Sequence, residues 1–294
     1  MPDSLVYNTP YPSKRNSEMK HLQTVLIAFG FFVALSVSPV SADAPHRIIS
    51  LAPNITEILF ALGLGDRIVG VTTYCDFPEE ARRKAKVGGM SNPSLESVLS
   101  LNPDMVILTT DGNPKHFSDR LSSFRIKTHI FRARTLRELP HGIRALGAAL
   151  GAQERADRLA EEIRRSLTDA VASMPHAAHG KKVLFIIWPE PLIVAGPGTA
   201  IDEAITMLGH RNIAGESASP YPKFSIESVV RQSPDVILIG KGHMDMQEVS
   251  GDLLKRLAGV SAVKNRRVFF VSDTLYRLGP RVIEGIREMS ACLQ

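Results

Sequence analysis

From residue 47 onward, short aliphatic runs alternate with stretches whose apolar positions recur every three or four residues. Arg47 to Leu51, Ile68 to Thr72, Met105 to Thr109 and Thr128 to Phe131 read as strands, with Asn54 to Leu62 and Ser94 to Leu101 as helices between them. Asn54 and Glu57 have the spacing of a capping box, which would satisfy the first amides of the helix they open. The theme returns with Val183 to Trp188, Leu192 to Ala195, Val236 to Ile239 and Val268 to Ser272 as strands. Strands interleaved with helices specify mainly parallel sheets covered by helices. The expected class is α/β, with two lobes, each built on a central, mainly parallel sheet.

Between the halves the pattern changes. Gln153 to Met174 holds no proline or glycine, and its apolar residues (Ala156, Leu159, Ala160, Ile163, Leu167, Ala170, Val171 and Met174) form one helical stripe. A helix of that span is about 33 Å long, enough to cross a small domain. Pro175 and the polar residues after it end the pattern. The expected organisation is therefore 1–42 as an N-terminal extension and signal, 43–150 as one lobe, 151–175 as a stiff inter-lobe helix and 176–294 as the second lobe.

An internal repeat supports the division. Ser94 to Leu108 aligns without gaps onto Ser225 to Ile239 at an offset of 131, with six of fifteen positions identical. Both copies describe a capped helix, a stop before proline, and an aspartate opening a buried strand. Ordinary α/β grammar accounts for the Pro-Asp pair but not for the matched Glu96 and Glu227. Each lies in a first helical turn, where the helix dipole favours a carboxylate. A shared role and plain helix-end stabilisation both remain open for the pair.

The first 42 residues read differently. Val25 to Val37 is almost wholly apolar, follows Lys20 and His21, and precedes Val40-Ser41-Ala42. That order makes a secretory signal cleaved near Ala42, with an uncleaved anchor as the alternative, although the run is short of the roughly 20 residues a spanning helix needs. Met1 to Glu18 adds nothing to the signal, so Met1 and Met19 both stand as starts. No cysteine lies near the cleavage point, which excludes lipid attachment there and points to the periplasm. At 294 residues, 44% hydrophobic and 22% charged, the chain suits a globular protein and not a disordered or multi-pass one. Its net charge of +5 is scattered, so no nucleic-acid partner is expected. Cys75 and Cys292 alone make no disulfide framework, and whether they bridge stays open.

Several motifs occur in order: Arg47 to Glu57, Gly70 to Pro78 with its Tyr-Cys-Asp-Phe-Pro end, Val87-Gly-Gly, and Ser94 to Leu108. Together they resemble the periplasmic substrate-binding proteins of cobalamin and iron-complex ABC importers, over the span from Arg47 to the C-terminus. The Tyr74 to Pro78 segment resembles the cobalamin-binding members most. The resemblance implies a non-enzymatic, monomeric receptor that holds a small-molecule corrinoid between two lobes and delivers it to an importer permease. Cobalamin would be cargo, with no cofactor and no resident metal. Glu96 and Glu227 match the family's permease-docking acids. The ligand residues implied are Tyr74, Phe77 and Met90 from the first lobe and Trp188, Tyr221, Asp273, Tyr276 and Arg277 from the second. Met90 departs from the large aromatic found at this place in some cobalamin-binding relatives and gives a softer wall. Tyr221 lies six residues before Glu227, as Met90 lies six before Glu96, so the repeat pairs ligand walls as well as acids.

Each residue also has a plainer reading. Tyr74 packs a turn, Phe77 and Met90 join the core, Trp188 plugs a gap between sheet and helix, Asp273 caps a helix, and Arg277 is a solvated charge. An iron–siderophore or haem receptor is the near alternative and an exported α/β enzyme the distant one. For the enzyme, no Gly-x-Ser-x-Gly elbow occurs, Gly89 to Pro93 being the nearest approach. His176 with His179 shows no third ligand and reads as a solvated linker. Gly196 to Thr199 reads as a turn, and His243 with Asp245 is ambiguous.

Overall fold

The computed structural model describes residues 44–172, 180–242 and 245–294. The first sheet holds β1 (Ile48–Ser50), β2 (Ile68–Val71), β3 (Ala85–Lys86), β4 (Met105–Thr109) and β5 (Lys127–Phe131), all parallel in the order β3-β2-β1-β4-β5. The second holds β6 (Lys182–Pro189), β7 (Leu192–Val194), β8 (Arg211–Asn212), β9 (Val236–Gly240) and β10 (Val268–Val271). Its order is β10-β9-β6-β7, with β8 also paired to β6 and β7 the one antiparallel partner among the described strands. The chain is therefore two α/β lobes. The two-residue β3 and β8 escape sequence reading because so short a strand has no periodicity to show.

Central strands are apolar without alternation because both of their faces are covered. In β1 and β4, Ile48, Met105 and Ile107 face one core while Ile49, Val106 and Leu108 face another. In β6 and β9, Val183, Phe185, Val236 and Leu238 face the same core as Ile48, and Leu184, Ile186, Ile237 and Ile239 face outward to a third. One apolar core thus runs through both lobes.

The helix Gln153–Ala172 passes through that shared core, burying Ala156, Ala160, Ile163, Leu167 and Ala170 at steps of four and three. Its twenty residues make about 30 Å. Met174 and Pro175, expected to finish and end it, lie outside the described residues, as do the signal segment, His176, His179 and His243. The preceding helix Leu139–Ala149 crosses it closely at Gly147, where an added Cβ would stand 2.1 Å from the Cβ of Ala156. Among the described residues no helix is long and apolar enough to cross a membrane.

The first helix corrects an expectation. It spans Pro53–Ala61 with Ala52 at its cap and no side-chain cap bond. Pro53 takes the first helical position, where no N–H is needed, so the helix begins ahead of Asn54. Glu57 then falls in the second turn, too far along to close a capping box.

The repeat is realised in three dimensions. Ser94 and Ser225 cap their helices by accepting from the amides of Ser97 and Ser228 at 3.2 and 3.1 Å. Asn102 and Ser233, also 131 apart, both end their helices with φ of 44°. The carboxylate of Asp104 accepts from the amides of His46 and Arg47, and that of Asp235 from the amide of Lys182. The side chains of Arg47 and Lys182 then donate to the helix-end carbonyls of Leu101 and Gln232. In each lobe the Pro-Asp pair ties the helix–strand unit to the start of the central strand.

The crossing at Gly147 yields a prediction. Gly147→Val, which must displace Ala156 from the shared core, lowers stability by about 1–3 kcal/mol, read as a reduced urea midpoint; an unchanged midpoint would contradict this account of the helix pair.

Candidate functional site

In a parallel sheet ordered 3-2-1-4-5, the connections leave β1 and β4 in opposite directions, and a crevice opens beyond their carboxyl ends. Here that crevice faces the corresponding ends of the second sheet, and the two enclose a cavity of about 620 Å³, within the range of small-molecule sites. Pro53 and Asn54 follow β1, Tyr74 follows β2, Met90 follows β3, Thr110 to Gly112 follow β4, and Ala133 and Arg134 follow β5. The second lobe adds Ile187 from β6, Gly242 after β9, Asp273 and Tyr276 to Leu278 after β10, Tyr221, and Thr199 to Ile201 at the start of the helix Ala200–Met207.

Six of the eight residues expected at the ligand site line this cavity: Tyr74, Met90, Tyr221, Asp273, Tyr276 and Arg277. Met90 and Tyr221, paired by the repeat, come from opposite lobes. Tyr221 lies in a bend between Pro220 and Pro222 and is exposed. Two expected residues are not brought there. Phe77 lies under the guanidinium of Arg281, whose Cζ is 4.0 Å from the ring centroid. Trp188 packs against the outward core of the second lobe, its indole N–H donating to the carbonyl of Glu190 at 2.8 Å. Side chains alternate across a strand, so Ile187 faces the cavity and its neighbour Trp188 turns away.

The electrostatics centre on Glu57, 4% exposed. Its carboxylate accepts from Arg281 Nη2 at 2.6 Å and Nε at 3.0 Å, and from Arg277 Nη1 at 3.4 Å. Arg277 also donates to Asp76 at 2.7 Å and to Asp273 at 2.6 Å. An acid of the first lobe is thus held by two arginines of the second, one of which lines the cavity. Burial pulls the Arg277 guanidinium down, but the bond to Asp76 and the fields of Asp273, Asp76 and Glu57 more than reverse it. Burial, then Asp273, push the Tyr276 phenol up to about 12, so it stays protonated across ordinary pH; its oxygen accepts from the amide of Gly242. At the far wall Arg134 donates to Asp111 at 2.8 Å.

Sequence reading missed Glu57, Asp76, Arg281 and the Asp111–Arg134 pair. For Glu57 a signal existed: a carboxylate among Ile55, Ile58 and Leu59 on a buried helix must find a partner. Cys75 is free and buried, bonded through its sulfur to Thr56 and Thr72, and burial raises its thiol pKa; Cys292 is free as well.

A family model described as periplasmic binding protein matches residues 48–275, from β1 through the segment that carries Asp273. The chain belongs to the periplasmic binding protein family. Its relatives include the vitamin B12-binding protein of Pectobacterium carotovorum, 28% identical over 254 residues that cover 85% of this chain and 88% of the relative. Among solved structures, the periplasmic vitamin B12-binding protein of Vibrio cholerae matches with a TM-score of 0.74 at 28% identity, covering 85% of this chain and 97% of the other. The periplasmic heme-binding protein of Roseiflexus sp. RS-1, in apo form, matches with a TM-score of 0.77 at 29% identity, covering 84% and 97%.

This periplasmic binding protein carries Glu96 and Glu227 in the exposed first turns of the equivalent helices Leu95–Ser100 and Ile226–Gln232. Bonds from its own amide and from Ser225 hold the Glu227 carboxyl below the usual range, so it is charged at neutral pH.

Removing the acid of a buried ion pair leaves its cations uncompensated, a cost of about 3–5 kcal/mol. Glu57→Ala is therefore expected to lower the unfolding free energy by an amount in that range, measured by denaturant titration; a loss as small as that of a surface substitution would refute the burial of these charges.

Proposed function

We propose that this binding protein is exported to the periplasm, captures a corrinoid between its lobes and delivers it to an ABC importer permease without chemical change. In this reading the lobes 43–150 and 176–294 supply the two walls, the segment 151–175, which carries the helix Gln153–Ala172, braces them, and the monomer is the working unit. The observation that carries the choice of cargo is the cancellation of charge around the cavity. Arg134 is paired with Asp111, and Arg277 with Asp273 and Asp76. A broad ring with uncharged amide arms suits such walls. A dicarboxylate ring would need cations that are not already committed to protein acids.

One observation favours a second cargo, haem. Tyr74 and Tyr221 present phenols from opposite lobes, 46% and 43% exposed, and tyrosine is a known axial ligand of haem iron.

Calorimetric titration with cyanocobalamin, haemin and a ferric hydroxamate siderophore separates these readings. Saturable one-to-one binding of cyanocobalamin in preference to the others is expected. Preference for haemin or the siderophore would replace the cargo and keep the transport role, and consumption of any of them would overturn the class. Tyr74→Ala and Tyr221→Ala should each weaken cargo binding about tenfold or more, as buried aromatic anchors do, while Trp188→Phe, outside the cavity, leaves it unchanged.

For docking, two exposed acids on equivalent helices supply orientation together with individually weak attraction, which suits a receptor that must also leave. Changing both Glu96 and Glu227 to Ala is expected to preserve cargo affinity in the isolated protein and to reduce uptake by the reconstituted importer. A collapse of affinity would assign them to the pocket instead.

A further inference from the structure

Met90 forms part of the first-lobe wall but sits in a segment that neither helix nor strand holds in place. Its position is fixed from behind. The carbonyl of Met90 accepts a 2.7 Å hydrogen bond from Asn113 Nδ2. The same nitrogen donates to the carbonyl of Leu51 at 3.0 Å, where the chain leaves β1, and Asn113 Oδ1 accepts from the amide of Thr109 at 2.7 Å, at the end of β4. One amide side chain thus ties three loops of the first-lobe rim, using donor and acceptor together, a combination unavailable to an ionised aspartate.

The adjacent Gly112 supplies the seat for the Met90 side chain. With φ of +113° it lies where L side chains are rare, and a Cβ there would stand 2.4 Å from Met90 Cε and 3.1 Å from Sδ. A methyl group and the thioether cannot share that space. A methionine, with three rotatable bonds, would yield by swinging away from its seat, and the open side is the cavity that both residues line.

We propose that Gly112 and Asn113 are positioning residues that set the place of the Met90 wall and, through it, the breadth of ring the cleft admits. This rests on the reading that the cleft holds a broad planar cargo. Neither residue needs to bond the cargo to act: Gly112 works by leaving room for the thioether, and Asn113 by fixing the loop that bears it.

The test is a double-mutant cycle with wild type, Gly112→Ala, Met90→Ala and the double variant, each titrated calorimetrically with cyanocobalamin. Gly112→Ala is expected to weaken binding about tenfold in the wild-type background and less than about threefold in the Met90→Ala background, a coupling typical of residues in contact. Backbone strain from alanine at this φ would act equally in both backgrounds, so equal losses overturn the proposal. Should Gly112→Ala fail to fold, Asn113→Ala gives the second test in the same cycle with Met90→Ala, since Asn113 acts on the loop that bears that side chain. A loss of cyanocobalamin affinity that shrinks in the Met90→Ala background is expected; equal losses in both backgrounds overturn the proposal. Wild-type titration separates the two readings: if haemin binds and cyanocobalamin does not, the cargo reading fails while the same cycle run with haemin still decides the wall. Binding of neither overturns both.

Discussion

A carboxylate withdrawn from water must be paired, and the pairing of Glu57 constrains the rest of this molecule. Desolvating such a group costs several kcal/mol even after the surroundings relax, and its partners, Arg277 and Arg281, belong to the opposite lobe. The lobes cannot part at this edge without exposing three charges or leaving them unmatched. An apolar contact of equal volume would be as stable or more so, yet it would tolerate sliding. Directed N–H to oxygen bonds do not, so the network sets the register of the lobes more than it adds stability. Since Arg277 also lines the cavity, that register is imposed on the cavity itself.

The same register is supported elsewhere by different means. Glu203, at the start of the helix Ala200–Met207, accepts from the amides of Leu136 and Arg137 in the first lobe, and its other oxygen lies 2.8 Å from Arg137 Nε. The long helix threads a core that includes strand residues of both sheets. Its outer face also carries ion pairs, Glu161 with Arg164 and Arg165, whose bonds hold the Glu161 carboxyl down at about 2. These stand in solvent, where water and salt screen them. The lobes are therefore held together by the buried stripe and the two inter-lobe clamps.

The α/β class, the two-lobe division, most strands and the long helix were legible because each rests on local pattern: uninterrupted apolar runs on doubly covered strands, and a clean stripe on the helix. The repeat was legible down to its serine caps, since both ends of each motif obey short-range rules. The cavity wall was partly legible, because residues just past strand ends must face the crevice. Trp188 defeated that rule: it sits within β6, one residue beyond the cavity-facing Ile187, and the side taken by a strand residue depends on register that composition does not reveal. Glu57 defeated local reading from the other direction, since a capping spacing and a long-range ion pair look identical in one dimension. Asn113 carries no local signature either; its importance comes from three loops that meet only after folding.

The duplicated units are mechanically alike at one end and chemically unlike at the other. Below, each lobe repeats the serine cap, the left-handed helix end, the aspartate that grips the neighbouring strand and the basic residue on the helix carbonyls. Six residues before the matched acids the copies diverge, with Met90 seated on Gly112 in one and Tyr221 held between prolines in the other. The shared geometry fixes where the acids and walls stand, and the side chains of the two walls differ. The cavity therefore has unlike walls, a flexible thioether on one lobe and an aromatic flanked by prolines on the other.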